Sequence, residues 1–148
     1  MKAITIWQPW AQLLAEGKKH EETRSWATNY RGPILIHAAK NPRDFFVDLY
    51  PDEEVWPHFV AAGLGKAQIL KDLPRGVIIG KAKLTACKLI DEEYSNFVKE
   101  FCPAEYAFGD FTPGRYAWVL EEPVLFDKPI PASGKQGLWN WDGELPDD

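Results

Sequence analysis

Chemistry is concentrated in one short stretch, Gly17-Lys18-Lys19-His20-Glu21-Glu22-Thr23-Arg24. On a β-strand, side chains alternate between faces, so Glu22, Arg24 and Trp26 share one face. Lys19 falls at the corner where the preceding segment meets that strand. A carboxylate, a guanidinium and an ammonium at one opening orient a carbonyl, an amide or a phosphate. Buried beside Arg24, Lys19 loses its proton more readily and becomes a base or nucleophile. The competing reading of the same spacing is a structural ion pair on a strand, which is what charge clusters usually are.

Aromatic residues surround this stretch: Trp7, Trp10, Trp26 and Tyr30. A flat ring beside Arg24 or Arg31 is a stacking surface for a nucleobase; each ring taken singly is equally a packing residue. Gln8, between Trp7 and Pro9, carries both a donor and an acceptor, as reading a base edge requires. Near the other end, Ser133-Gly134-Lys135-Gln136-Gly137-Leu138-Trp139 is a glycine-flanked loop. Gly134 and Gly137 permit close backbone approach, to a ligand or within a tight turn. Lys135 and Gln136 would then face a phosphate or a base. Asp110 and Arg115 flank a turn that they close as an ion pair. His37 lies among Ile34, Leu35 and Ile36 and reads as a hydrogen-bonded core residue. His20 and His58 have no metal spacing, and the phosphate-loop and nucleophile-elbow patterns are missing, so no metal or cofactor is expected.

The elements that must position these groups follow from periodicity. Residues 2–7 alternate and are β-branched, a strand. Pro9 opens a helix that Gly17 ends, with Trp10, Leu13 and Leu14 as its apolar stripe. Residues 20–26 alternate again, 31–33 turn, and 34–39 form a buried strand. Asn41-Pro42 starts a helix with Phe45, Phe46 and Leu49 inward, and 51–62 form another. Residues 76–90 give the longest strand signal, with Ile78, Gly80, Ala82, Leu84 and Ala86 on one face and Lys81, Lys83 and Thr85 on the other. Asp91 caps a helix through Phe101, and strands follow at 115–126 and 136–141. About six strands with inserted helices predict an α+β fold: a mixed, partly closed β-barrel of five to seven strands with helices packed at its ends.

The chain has 148 residues, 45% hydrophobic and 26% charged, with seven Trp and eight Phe. That is one domain with a sizeable core, read here as residues 1–141 followed by a short acidic tail at 142–148. The net charge of −5 argues against a sequence-blind duplex binder. The cations Lys2, Lys18, Lys19, Arg24, Arg31, Lys40 and Arg43 outnumber Glu16, Glu21 and Glu22 in the first third, which suggests a local anion site on an acidic molecule. Cys87 and Cys102 form no pair by spacing and fit a reducing compartment. With no apolar run long enough to span a bilayer and no signal-like N-terminus, a cytoplasmic location is expected.

Several blocks in order resemble the ASCH family, whose domain shares the PUA-like β-barrel. They are Ile6-Trp7-Gln8-Pro9-Trp10-Ala11, the motif Gly17-x-Lys19-x-x-Glu22-x-Arg24, and Tyr30-Arg31-Gly32-Pro33-Ile34-Leu35-Ile36-His37-Ala38-Ala39. Downstream stand Gly109-Asp110-Phe111, Gly114-Arg115-Tyr116-Ala117-Trp118 and Gly134-Lys135-Gln136-Gly137-Leu138-Trp139. The resemblance implies a cleft holding the lysine motif, and binding of RNA or a nucleotide. Glu22 and Gln8 would read base edges, Lys19, Arg24 and Lys135 would hold phosphate or carbonyl groups, and Trp7, Trp26 or Tyr30 would stack. Some compact members resemble amidohydrolases of N4-acylated cytidine that use a lysine, a threonine and a glutamate. Lys19 matches that lysine, but Glu22 stands where the threonine falls, which favours binding. The rival class is that hydrolase or a ribonuclease, with Lys19 as base and Arg24 as oxyanion stabiliser. A third is a protein-interaction module. Two arrangements are open: Glu22 pairs with Lys19 and keeps it charged, or Glu22 pairs with Arg24 and frees Lys19 to act as a base.

Overall fold

The computed structural model describes residues 1–40 and 52–146. In chain order the elements are β1 (Lys2–Ile6), α1 (Trp10–Ala15), β2 (Glu21–Arg24), β3 (Gly32–Ala38), α2 (Trp56–Ala61), α3 (Ala67–Asp72), β4 (Val77–Leu89), α4 (Glu92–Phe101), α5 (Pro103–Phe108), β5 (Tyr116–Pro131) and β6 (Leu138–Asn140). The strands form one six-stranded mixed sheet in the order β2-β5-β4-β3-β1-β6. β1 and β3 run parallel, and the other neighbours are antiparallel.

Although β5, β4 and β3 lie between β2 and β1 in the ladder, Arg24 of β2 donates from Nη2 to the Thr5 carbonyl of β1 at 2.9 Å. The sheet therefore curls into a half-barrel, as the expected mixed barrel of five to seven strands required. The curl originates in the long β4–β5 ladder. Its register shifts three times, between Ile78 and Gly80, Lys81 and Lys83, and Leu84 and Ala86, and each irregularity adds bend and twist. Pro123 and Pro129 fall at two of these shifts, where a missing N–H costs no ladder bond. For that reason β5 continues to Pro131, beyond the expected end at 126.

Inside the curl sits α1. Its Ala11, Leu14 and Ala15 pack with Ile6, Ile36, Ile79, Leu84 and Trp118. A Cβ at Gly80 would stand 2.3 Å from the Val124 carbonyl oxygen and 3.1 Å from the Ala15 Cβ, so only glycine lets the helix and both strands meet there. The outer face is covered by a second cluster of Ala3, Leu35, Ile78, Phe126 and Trp139. Ile78 thus lies opposite Ala82 and Leu84, and the single expected face is corrected. Ile79 is the extra residue where Ile36 pairs Gly80 but His37 pairs Ile78, and one extra residue exchanges the faces of a strand.

α4 begins as expected, with Asp91 Oδ1 accepting the Tyr94 amide at 2.7 Å. The helix expected over 51–62 is shorter, α2, while α3 and α5 were not anticipated. The helix start at Asn41-Pro42 lies outside the described residues. Leu145, in the expected tail, packs against the outer cluster. Among the described residues no helix is long and apolar enough to cross a membrane.

Candidate functional site

β2 places Glu22 and Arg24 on one face, as alternation requires. Glu22 Oε2 accepts from Arg24 Nε at 3.1 Å and lies 3.0 Å from Nη2. Nη2 also holds the Thr5 carbonyl, so the guanidinium joins the barrel edge to β1. This pair walls a cleft of about 580 Å³. Trp7 and Trp10, where the chain turns from β1 into α1, line it as well; Trp7 is 40% exposed.

The turn between α5 and β5 supplies Asp110 and Arg115. The Asp110 amide donates to Thr23 Oγ1 at 3.1 Å, and Arg115 Nη2 donates to the Thr23 carbonyl at 3.2 Å. Arg115 Nε lies 3.5 Å from Asp110 Oδ2, the expected turn-closing pair. Burial pushes the Asp110 carboxyl up, but the Thr112 hydroxyl and amide and the Arg115 charge outweigh it and hold the group below its ordinary range.

Lys19 is placed differently. It is 2% exposed, donates from Nζ to the Glu21 carbonyl at 2.6 Å, and lies 3.8 Å from Glu105 Oε2. Glu105 in turn accepts the His20 amide at 2.8 Å and the Glu21 amide at 3.1 Å. Glu21 accepts the Tyr94 hydroxyl, whose own ionisation is pushed well up by burial, by that hydrogen bond and by the carboxylates of Glu21 and Glu105. Glu22 therefore pairs with Arg24, the second of the open arrangements, yet Lys19 is not freed, because Glu105 takes its charge. Its Nζ sits behind Gly109, where a Cβ would stand 3.3 Å away. Gly109 lines the cleft and Lys19 does not. Sequence reasoning missed Glu105. Its signal was Pro103 at the start of α5, with an acid in the first turn.

Gln8 is turned inward and 2% exposed. Its Nε2 donates to the Pro74 carbonyl and its Oε1 accepts the Gln12 amide, both at 2.9 Å. The expected base-reading amide is thus occupied by backbone on both ends. Trp26 packs edge-on against Trp118, with ring centroids 4.7 Å apart, and its carbonyl accepts the Trp118 indole N–H. Tyr30 donates to the Pro33 carbonyl at 2.6 Å and closes the turn into β3. Of the stacking candidates, only Trp7 lines the cleft with Arg24.

Lys135 and Gln136 line a second cleft, of about 890 Å³, which shares Thr5 with the first. Its floor is a closed relay. Trp139 Nε1 donates to Thr5 Oγ1 at 3.0 Å, Thr5 Oγ1 contacts His37 Nδ1 at 3.2 Å, and His37 Nε2 contacts the Ala132 carbonyl at 2.7 Å. A carbonyl only accepts, so Nε2 carries the ring proton and Nδ1 accepts from Thr5. Burial holds the His37 imidazolium below its ordinary 6.5, against the opposing effect of the Ala132 bond. Gly134 lies directly on this relay: a Cβ would stand 2.6 Å from Thr5 Oγ1 and 2.8 Å from His37 Nδ1.

The family profile of the ASCH domain matches residues 4–130. Activating signal cointegrator 1 of Homo sapiens is 25% identical over 146 residues, covering 96% of this chain. The Mus musculus protein of the same name is 24% identical over 146 residues and 96% of the chain. The chain spans 22% of the length of these curated relatives. A crystal structure of ASCH from Zymomonas mobilis is similar at a TM-score of 0.49 and 18% identity, covering 87% of this chain and 71% of that one. A mutant of that protein gives 0.47 at 18% identity, with 87% and 73% covered. The profile match takes in the lysine motif and runs from within β1 almost to the end of β5, so all of the curled sheet but β6, and the Glu22–Arg24 wall, fall in the matched stretch: the chain belongs to the ASCH domain family.

Proposed function

We propose that the Trp7–Arg24 cleft binds one nucleotide of a single RNA strand and releases it unchanged. The observation that carries this reading is a half-exposed indole, Trp7, lining the same cleft as a carboxylate–guanidinium pair. A base slides onto the ring, since every base offers a π-face. Both bonds between the pair use Glu22 Oε2, so Oε1 remains to accept from an exocyclic amine. Arg24 Nη1 donates to no described residue and is available to a keto oxygen or a phosphate. Membership of a family associated with RNA supports the same reading. Binding is favoured over hydrolysis because the motif lysine is buried, paired with Glu105 and walled off by Gly109, whereas a general base must reach the proton it removes.

Trp7 fluorescence titrated with short oligoribonucleotides tests the proposal. Arg24→Ala weakens binding and lowers the slope of log K against log salt by about 0.7, and Trp7→Ala weakens it with the slope unchanged. Unaltered affinity in both folded variants refutes the reading. Turnover of N4-acetylcytidine by the unaltered chain replaces it with the hydrolase.

A further inference from the structure

The second cleft differs from the first in the sign of its walls. Lys40, two residues after β3, Arg75, just before β4, and Lys135, in the loop after β5, all line it. No carboxylate side chain is among the described residues that do so, although acids outnumber bases in the whole chain, 22 to 17. Neither Lys40 nor Lys135 is held in an ion pair with a described residue. Arg75 is fixed in place: Nη1 donates to the Lys71 and Leu73 carbonyls and Nη2 to the Leu70 carbonyl. Its charge sits at the C-terminal end of α3 with its orientation set before any ligand arrives.

Main chain adds to the side chains. Ser133, Gly134, Lys135 and Gln136 line the same cleft, and their amides donate to no described residue. Unpaired amides are donors available to an anion. Their position is set from below, because Gly134 rests on Thr5 and His37 at a distance no larger residue tolerates. The floor itself offers nothing to a cation. His37 is neutral in its relay, and both its nitrogens and the Thr5 hydroxyl are already engaged.

We propose that this cleft is a phosphate site, taking the backbone phosphate of the strand whose base lies in the neighbouring cleft. The strand assignment rests on the function proposed above; the phosphate chemistry does not. Thr5 separates the two sites by one residue of β1: its carbonyl holds Arg24 and its hydroxyl belongs to the floor of the phosphate cleft. Gln8 further ties the corner that carries Trp7 to Pro74, next to Arg75. A strand stacked on Trp7 thus leaves one cleft directly into the other.

The test uses the full chain and the double variant Lys40→Ala/Lys135→Ala, neither residue lying in the base cleft. First, inorganic phosphate is titrated into the isotope-labelled chain. Saturable shifts of the 133–136 amides are expected in the wild type and not in the variant; their absence in the wild type overturns the proposal. Second, a single-stranded hexaribonucleotide is bound at several salt concentrations. The variant is expected to bind roughly tenfold more weakly at low salt, with a slope smaller by about 1.4 for two lost contacts. Phosphate shifts together with unchanged oligonucleotide affinity and slope would establish the phosphate chemistry but overturn the strand as its source, in favour of a free phosphorylated ligand. Phosphate shifts without any oligonucleotide binding by the wild type would refute the base-cleft reading and leave the phosphate site standing.

Discussion

The two clefts on either side of Thr5 use charge in opposite ways. In the Trp7 cleft every cation has a described anion beside it, Arg24 with Glu22 and Arg115 with Asp110. In the Lys135 cleft the cations have none. Paired charges largely cancel at a distance and present directed donors and acceptors at contact, so they discriminate between ligands more than they attract them. Unpaired cations do the reverse: they attract any anion, and salt screens the attraction. A domain of net charge −5 can therefore hold a polyanion without a basic coat, provided the uncompensated charge is confined to one cavity.

Four measurements break or sharpen this comparison. The largest effect is expected beneath the paired cleft. Lys19→Ala leaves Glu105 buried without its counter-charge and costs about 3–5 kcal/mol in urea unfolding; a loss below 1 kcal/mol would mean that the pair does not support this wall. Next, Gly134→Ala drives a methyl into Thr5 and His37 and costs about 1–3 kcal/mol by thermal melting, while the affinity of the Trp7 cleft for a nucleoside stays unchanged. Third, Glu22→Gln keeps the shape of the paired cleft but exchanges an acceptor for an amide. It is expected to alter preference among the four bases by about 1–3 kcal/mol with no fall in the salt slope, and a uniform weakening across the bases would count against base reading. The smallest effect is in pH. The folded-state pKa of His37 is lowered, so the histidine's contribution is fully present above its ordinary 6.5 and is lost as pH falls through the folded value. Melting temperature should decline from pH 7 to pH 5.5, and His37→Gln should flatten that decline.

The fold was largely legible because its signals are local. β1, β2 and β3 follow from alternation and β-branching over a few residues, α1 from Pro9, Gly17 and a spaced apolar stripe, and the start of α4 from Asp91. β5 was read as ending at 126 although it runs to Pro131, because Pro129 looks like a strand breaker until the register shift that accommodates it is known. The site was legible only in part, and for a related reason. Glu22 and Arg24 are two apart on one strand, so their pairing is a local fact. The partner of Lys19 is on α5, the partner of Gln8 is Pro74, and the partner of Trp26 is Trp118. None of these is implied by spacing; the first two bury Lys19 and Gln8, whose chemistry alone placed them at the surface, and the third seats Trp26 edge-on against Trp118 outside the cleft. His37 was read correctly because an apolar strand around a polar side chain forces it to find partners, whoever they are.

Gln8 turns from a reader into a strut, and that changes what kind of device the two clefts make. Its buried amide joins the Trp7 corner to the Pro74 turn at one end and to the first turn of α1 at the other. The stacking ring and the Arg75 guanidinium are thereby mounted on one frame, and the gap between the clefts is set by main chain and not by rotamers. If the two clefts take base and phosphate as proposed, such a frame would work as a gauge: it would accept polymers whose base-to-phosphate pitch matches the gap and penalise analogues with a longer, shorter or uncharged repeat, even when their bases are identical.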